Sequence, residues 1–368
     1  MSGHSASDMS RRKAQLLEIC LDHERYNVET GATRLEEVHL VHRSLPELDA
    51  TEIDTGLDFL GHRIAFPVFI SSMTGGSEAG YQTNKDLAEV AQELGIPVGM
   101  GSIRILFRKP EVMEHFYLKR LAPQVPVFAN LGGVQLPEMD HDEIYSMLDT
   151  LGVDGVAIHL NPGQEIFQPG GDRDFRGVLD SLGRFIARSP IPVLVKETGF
   201  GINPAEVRQL RTLGARYVNV AGSGGTNWLR VEAYRQDQGS VAAAAGEFDD
   251  WGLPTGLILA AMGRSTPGVL ASGGLRSGMD VVRALALGAE AAGMALPFVR
   301  ALKTGGVEAA VEFGRRLEYV IRTAMALSGC RSLDDLRRAP IWMESSLQAD
   351  AVALAAACND GAETRNYG

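Results

Sequence analysis

Short apolar runs recur along the chain, several of them opened by Pro followed by Val, and each ends in Gly, Ser, Asn or a charged residue. They are "PVFISSMTGG" from Pro67, "PVGMGS" from Pro97, "PVFANLGG" from Pro126, "GVAIHLN" from Gly155, "PVLVKETGFG" from Pro192, "YVNVAGSGGT" from Tyr217, "GVLASGGL" from Gly268 and "AAGMALP" from Ala291. Runs that are apolar throughout, rather than at alternate positions, belong to strands covered on both faces. Between them, residues 84–95, 142–152, 204–214 and 277–288 carry apolar side chains at three- and four-residue steps. Each of these stretches closes on a glycine, where a helix C-terminus wants one. Strand and helix alternate at roughly thirty-residue intervals, the rhythm of a parallel sheet. Eight such units predict a single (β/α)8 TIM barrel, with an open doubly wound sheet as the alternative.

Two segments stand outside that rhythm. Residues 1–65 read as a charge-rich N-terminal extension packing on or lidding a barrel over 66–345. Residues 223–266 make an overlong connection after the sixth strand, of the length that lids and subunit contacts have. After about residue 340 the chain reads as a terminal helix, with 346–368 as a C-terminal helix and polar, disordered tail.

Composition narrows the function. Acidic residues outnumber basic ones 46 to 35, a net charge of −11. Such a surface repels nucleic acid and anionic membranes, so a phosphate-bearing partner must be a small molecule caught in a local basic site. Cys20, Cys330 and Cys358 are odd in number and far apart, which fits neither a disulfide framework nor a CxxC metal site. The N-terminus lacks an apolar segment after its basic residues and no run is long enough to span a bilayer, so the reading is cytoplasmic.

In a barrel the C-terminal strand ends and the loops after them build the active site. The fourth strand ends in "IHLNPGQE", bringing His159, Asn161, Gln164 and Glu165 to that edge. Any one of them alone would simply tie down a loop. Neighbouring strand ends do the same, with Asn130 on the third, Lys196 and Glu197 on the fifth and Asn219 on the sixth. A Lys inside "PVLVKE" is costly to bury unless it meets an anion or an electron-rich ring. Glycine loops follow strands six, seven and eight, at "AGSGGTNW", "ASGGLRSG" and "AGMALP". One such loop is only a tight turn, but together, after these strands, they suit a phosphorylated cofactor. Met73 and Thr74 in "MTGG" offer contacts to a flat ring whose electron-rich edge Lys196 would face, which favours a reduced flavin. No GxGxxG turn is present, so a nicotinamide is not the tightly held group.

With these motifs in order, the chain resembles the type 2 isopentenyl diphosphate isomerases, FMN-dependent barrel enzymes. The resemblance runs from "RRK" at 11–13 to "RSLDDLRRAPI" at 331–341, through "VHRSLPELD", "ISSMTGGS", "VGMGSIR", "HLNPGQEIFQPGGDRDF", "VKETGFGI", "GGTNW" and "ASGGLRSGMDVVRALALGA". It implies conversion of isopentenyl diphosphate to dimethylallyl diphosphate, an isoprenoid step needing reduced FMN and Mg2+ but no net redox change, with NAD(P)H as the reductant and a homotetramer or homo-octamer as the assembly. Carried onto this sequence, the flavin site would use Ser72, Met73, Thr74, Ser102, Asn130, Lys196, Thr226, Gly273, Gly274 and Ala295. The substrate would meet Arg12, Lys13, Ser102, Arg104, His159, Asn161 and Gln164, and Glu165 would ligate Mg2+. Gln164, His159 and Lys196 are the catalytic candidates, with N5 of the reduced flavin handling one proton transfer.

Two positions depart from the family pattern. Leu16 stands where the family has a His three residues beyond the Lys, and Ile103 replaces a Gln. Both lie near the substrate in the family, so the losses point to weaker diphosphate binding or a larger, more apolar alkenyl chain. Two other readings compete. An FMN-dependent 2-hydroxy-acid oxidoreductase needs a His base and Arg clamps near the later strand ends, and "AGSGGTNW" supplies neither. A non-catalytic flavin-binding relative would rest on Leu16 and Ile103 alone, against the retained Gln164, Glu165 and Lys196.

Overall fold

A computed structural model describes residues 15–72, 78–236 and 240–364. Eight parallel strands close into a barrel: β1 Val68–Ile70, β2 Val98–Ser102, β3 Val127–Gly132, β4 Gly155–Leu160, β5 Val193–Glu197, β6 Tyr217–Asn219, β7 Val269–Ala271 and β8 Ala291–Met294. They pair in chain order around the ring, with β8 against β1.

Both strand faces are apolar because each packs on a different core. Val68, Ile70, Val127, Val156, Ile158, Val193, Val195 and Val218 point outward into the large core shared with the surrounding helices. Phe69, Phe128, Ala157, Leu194, Tyr217, Leu270 and Ala291 fill a second, smaller core inside the barrel. A hairpin from the N-terminal segment, Leu57–Phe59 paired with His62–Ile64, closes the bottom of that interior. Phe59 stacks on Tyr217 at 4.7 Å and lies 6.0 Å from Phe69, so the barrel floor is aromatic and solid.

The predicted helices are present as Glu78–Leu94, His141–Leu151, Pro204–Thr212 and Gly278–Ala286. Gly152 caps the second in the left-handed conformation, at φ 63°, and its N–H returns to Leu148 and Asp149 carbonyls. Ser277 and Asp280 form a reciprocal capping box at the start of the last. Between β2 and β3 the connection is built instead from 3-10 turns, Ile103–Phe107, Pro110–Phe116 and Leu118–Arg120. The overlong 223–266 connection carries two roles. Trp228–Arg235 covers the C-terminal mouth side, and Thr255–Met262 takes the place of a barrel helix. The chain's two ends meet where Val38–Leu40 pairs antiparallel with Ile341–Met343. The terminal helix Ser345–Thr364 then packs on Thr255–Met262 and Pro204–Thr212; residues 365–368 lie outside the described residues.

Candidate active site

Strand periodicity places the site. Inward-facing residues recur every second position. Two residues beyond Phe69, Phe128, Ala157, Leu194, Tyr217, Leu270 and Ala291 stand Ser71, Asn130, His159, Lys196, Asn219, Ser272 and Gly293. One step up the barrel interior, an apolar layer becomes a polar one. The ladder sets Ser102 beside Asn130, His159 beside Lys196 and Lys196 beside Asn219. It steps by two residues between β3 and β4, where Asn130 faces Ala157, between β6 and β7, where Asn219 faces Leu270, and between β8 and β1, where Gly293 faces Phe69. A single cleft at the C-terminal mouth is lined by Ser72, Ser102, Arg104, Asn130, His159, Asn161, Gln164, Glu165, Lys196, Thr226, Gly273, Gly274 and Ala295. All the described site candidates are therefore brought together. Arg12, Lys13, Met73 and Thr74 lie outside the described residues.

The polar layer is internally braced. His159 Nδ1 stands 3.0 Å from Asn130 Oδ1, so the imidazole donates through Nδ1. Ser272 Oγ donates to Asn219 Oδ1 at 2.7 Å. Lys196 Nζ donates to the Glu197 carbonyl at 2.8 Å. Protein surrounds the Lys196 ammonium although the residue keeps an opening to the cleft, and this desolvation pushes its pKa down to about 8, with the Glu197 carboxylate opposing the fall. Burial raises Glu197 in turn, offset by donation from the Gly199, Phe200 and Gly201 N–H groups to its carboxylate and by the charge of Lys196.

The loop after β4 holds a second polar group. Asn161 Nδ2 donates to Gln164 Oε1 at 3.1 Å and to Glu165 Oε1 at 3.3 Å, while the Asp172 N–H donates to Glu165 Oε2 at 3.1 Å. Gln164 Nε2 donates to Glu232 Oε1 at 3.0 Å, and Glu232 is ion-paired with Arg235. Both ends of the Gln164 amide are therefore engaged, which fixes which end carries N and which O. Fully buried Glu232 was not legible in sequence. It sits between Val231 and Ala233 on a helix 68 residues away from Gln164, and its one signal is a carboxylate on a buried face. Glu197, named from its strand end, lines the cleft as well, and so do Gln135, Trp228 and Arg276, which were not singled out as site residues.

The glycine loops also answer a packing requirement. A Cβ on Gly273, at φ +90°, would stand 2.0 Å from the Gly222 carbonyl oxygen, and one on Gly274, at φ +81°, would stand 2.3 Å from the Gly224 oxygen and 2.4 Å from Thr33 Cγ2. Loops six and seven nest backbone against backbone, with the N-terminal segment pressed on them. What this leaves facing the cleft still suits FMN. Among the described residues, Ser72 Oγ is buried without a hydrogen-bond partner, and the helix beginning at Leu296 has no side-chain cap at Ala295, leaving N–H groups for an anion. Gly273→Ala is expected to lose FMN during purification while circular dichroism keeps its helical signal; full retention of flavin would count against this packing.

Glu165 also suits a hard cation. Among the described residues no three His, Cys, Asp or Glu side chains gather around a metal position. One carboxylate fits Mg2+, which commonly takes a single protein carboxylate and completes its shell with phosphate oxygens and water.

The two departures part company. Leu16, on a helical turn within 15–21, lines the cleft and packs on Ile19, Cys20, Val28, Val231 and Leu296 with Trp228 beside it. Ile103 is fully buried in the main core and does not reach the cleft. The replacement of a polar residue at 103 is a packing event, and Leu16 alone alters the lining.

Residues 14–106 and 172–343 match the FMN-dependent dehydrogenase family. Among solved structures, a mandelate oxidase variant with a monooxide FMN adduct superposes with a TM-score of 0.62 at 22% identity, over 89% of this chain and 99% of that one. Mandelate oxidase with benzoyl-formic acid gives 0.59 at 21% identity, over 92% and 98%. These likenesses establish the barrel. Closer in sequence is the isopentenyl-diphosphate delta-isomerase of Borreliella afzelii, 40% identical over 92% of this chain and 94% of its own length. The chain belongs to the type 2 isopentenyl-diphosphate delta-isomerase family. The isomerase of Thermococcus kodakarensis is likewise 40% identical, over 91% and 94%, and that of Aeropyrum pernix 39% identical, over 94% and 93%. The mandelate oxidases thus share the fold, while membership of the isomerase family makes this chain an isomerase. No helix among the described residues is long and apolar enough to cross a membrane.

Proposed function

We infer that this isomerase converts isopentenyl diphosphate to dimethylallyl diphosphate, with reduced FMN and Mg2+. The observation that carries the reading is the two-sided cleft. Uncapped N–H groups and glycine loops line one side, and Arg104, Gln164 and Glu165 line the other, which suits two phosphorylated molecules held face to face. FMN, when bound and reduced, supplies an electron-rich face against which positive charge in the substrate is stabilised, and an atom that carries a proton.

The protein's own groups do the rest. Thr226, Gly273, Gly274, Ala295, Ser72, Ser102 and Asn130 would hold the cofactor, joined by Met73 and Thr74. Lys196 would sit against its anionic edge, where the cost of the buried ammonium is recovered. Glu165 would hold Mg2+, and Arg104, with Arg12, Lys13 and Ser102, would take the diphosphate through paired N–H groups. Gln164 and His159 would line the alkenyl chain with Asn161. Moving a double bond needs one proton delivered and one removed with bulk water excluded, and the Gln164 amide, tied at both ends, would guide that transfer. NAD(P)H would supply the reducing electrons, and the assembly would be a homotetramer or homo-octamer, with exposed Tyr234 and Trp251 on the connection after β6 as candidate subunit contacts. The test is turnover of isopentenyl diphosphate by photoreduced enzyme, with none by the oxidised form; turnover indifferent to flavin reduction would refute it.

Leu16 favours a second reading, a bulkier alkenyl diphosphate packed on the apolar wall of Leu16, Trp228 and Leu296. Leu16→His restores a donor at this wall. Its KM for isopentenyl diphosphate is expected to fall by about tenfold at pH 6, where the imidazole is charged. An unchanged KM would mean the leucine costs no binding, and the bulkier substrate would lose its support.

A further inference from the structure

The loops after β2, β3 and β4 meet at Asp172, which lies within "HLNPGQEIFQPGGDRDF" but was given no role of its own. Its Oδ2 accepts from Gln135 Nε2 at 2.9 Å and lies 3.5 Å from Arg104 Nη1. Its backbone N–H donates to Glu165 Oε2. One residue therefore touches both the arginine and the carboxylate of the substrate side.

The surroundings are built to hold it there. A Cβ on Gly171 would stand 2.1 Å from the Glu165 carbonyl oxygen and 3.0 Å from Glu165 Oε2, so only glycine lets this loop press on that carboxylate. A Cβ on Gly132 would stand 1.9 Å from Gln135 Oε1, so the buried Gln135 folds back over its own strand end to reach Asp172. Neither glycine has a positive φ; the requirement in both is space.

The charge of Asp172 has two effects on an incoming diphosphate. It anchors the Arg104 guanidinium in one orientation, and it cancels part of that guanidinium's attraction. Arg104 with Asp172 and Glu165 makes a cluster of one positive and two negative groups, which repels a bare diphosphate. A diphosphate already carrying a divalent cation presents positive charge to the two carboxylates while its free oxygens reach Arg104. We propose that Asp172 is a positioning residue that makes the site select metal-complexed over metal-free diphosphate, acting through Arg104. This rests on the diphosphate reading above.

The test uses the FMN-loaded protein and inorganic pyrophosphate, titrated calorimetrically with and without Mg2+. Asp172→Asn keeps an acceptor for Gln135 and removes the charge. Metal-free affinity is expected to rise about tenfold and the Mg2+ complex to bind several-fold more weakly, so the advantage conferred by Mg2+ shrinks by more than tenfold. With Arg104→Met already in place, the same change should raise metal-free affinity by only about twofold, because direct repulsion is relieved but no guanidinium charge is released. Flavin absorbance reports that the protein is intact, and Asp172→Ser serves if the Asn variant loses FMN. An unchanged Mg2+ advantage, or an equal loss with and without metal, overturns the role of Asp172 alone. Wild-type protein that holds FMN yet binds no Mg2+–pyrophosphate overturns the diphosphate reading, and this inference with it.

Discussion

Replacing Glu165 with glutamine is expected to lower Mg2+-dependent kcat/KM about a thousandfold, roughly 4 kcal/mol of transition-state stabilisation. The glutamine keeps the volume and an acceptor oxygen for the Asp172 N–H and gives up only the longer bond from Asn161, which retains Gln164 Oε1 as acceptor, so the loop after β4 stays packed. What it loses is the formal charge that a hard cation needs when the protein supplies one carboxylate and the substrate and water supply the rest. The glycine loops and Lys196 are untouched, so the flavin spectrum and FMN stoichiometry should equal those of the wild type. Wild-type turnover in this variant would remove Glu165 from the metal; loss of flavin together with turnover would make it a structural residue.

Lys196→Met is expected to act in opposite directions on stability and on cofactor. Desolvation takes the ammonium from its ordinary value of 10.5 to about 8, so keeping it charged at pH 7 costs the FMN-free protein about 3 kcal/mol. Methionine removes that cost, from which the opposing attraction of Glu197 is already deducted, so a net gain of about 3 kcal/mol is expected in denaturant unfolding. The pH dependence fixes the sign. Below pH 8 both folded and unfolded wild-type chains carry the proton and the penalty is complete. Between 8 and 10.5 only the unfolded chain keeps it, so wild-type stability climbs with pH and the variant's advantage disappears by about 10.5. Reduced FMN, by contrast, should bind at least about a hundredfold more weakly to the variant, because an anionic ring then faces an apolar side chain. A destabilised FMN-free variant, or undiminished affinity for reduced FMN, would contradict the placement.

What was legible in sequence follows from how each residue earns its place. The strands were plain because both faces meet apolar cores, as Phe69 inside and Val68 outside illustrate. Lys196 was plain because a cation in the apolar run "PVLVKE" has no reason to be there without an anion. The closed barrel, over the open sheet, shows in the pairing of β8 with β1, a contact between distant residues that no local pattern carries. Glu232 and Asp172 escaped for the same reason, since each matters through partners on other loops. Gly273 and Gly274 line the cleft, and their positive φ and lack of Cβ space also serve the packing of loop on loop, which no local pattern shows. Ile103 was read as a change in the substrate's surroundings and is a core residue, because a 3-10 turn starts at that position and turns its side chain inward.

The central claim is that this cleft moves a proton on and off an alkenyl diphosphate beside a reduced flavin. Proton NMR in D2O tests it, with the protein loaded with FMN, reduced anaerobically and given Mg2+ and isopentenyl diphosphate. The account predicts dimethylallyl diphosphate carrying deuterium, with neither product nor exchange while the flavin stays oxidised. Bound, reduced flavin with no exchange and no product would contradict it.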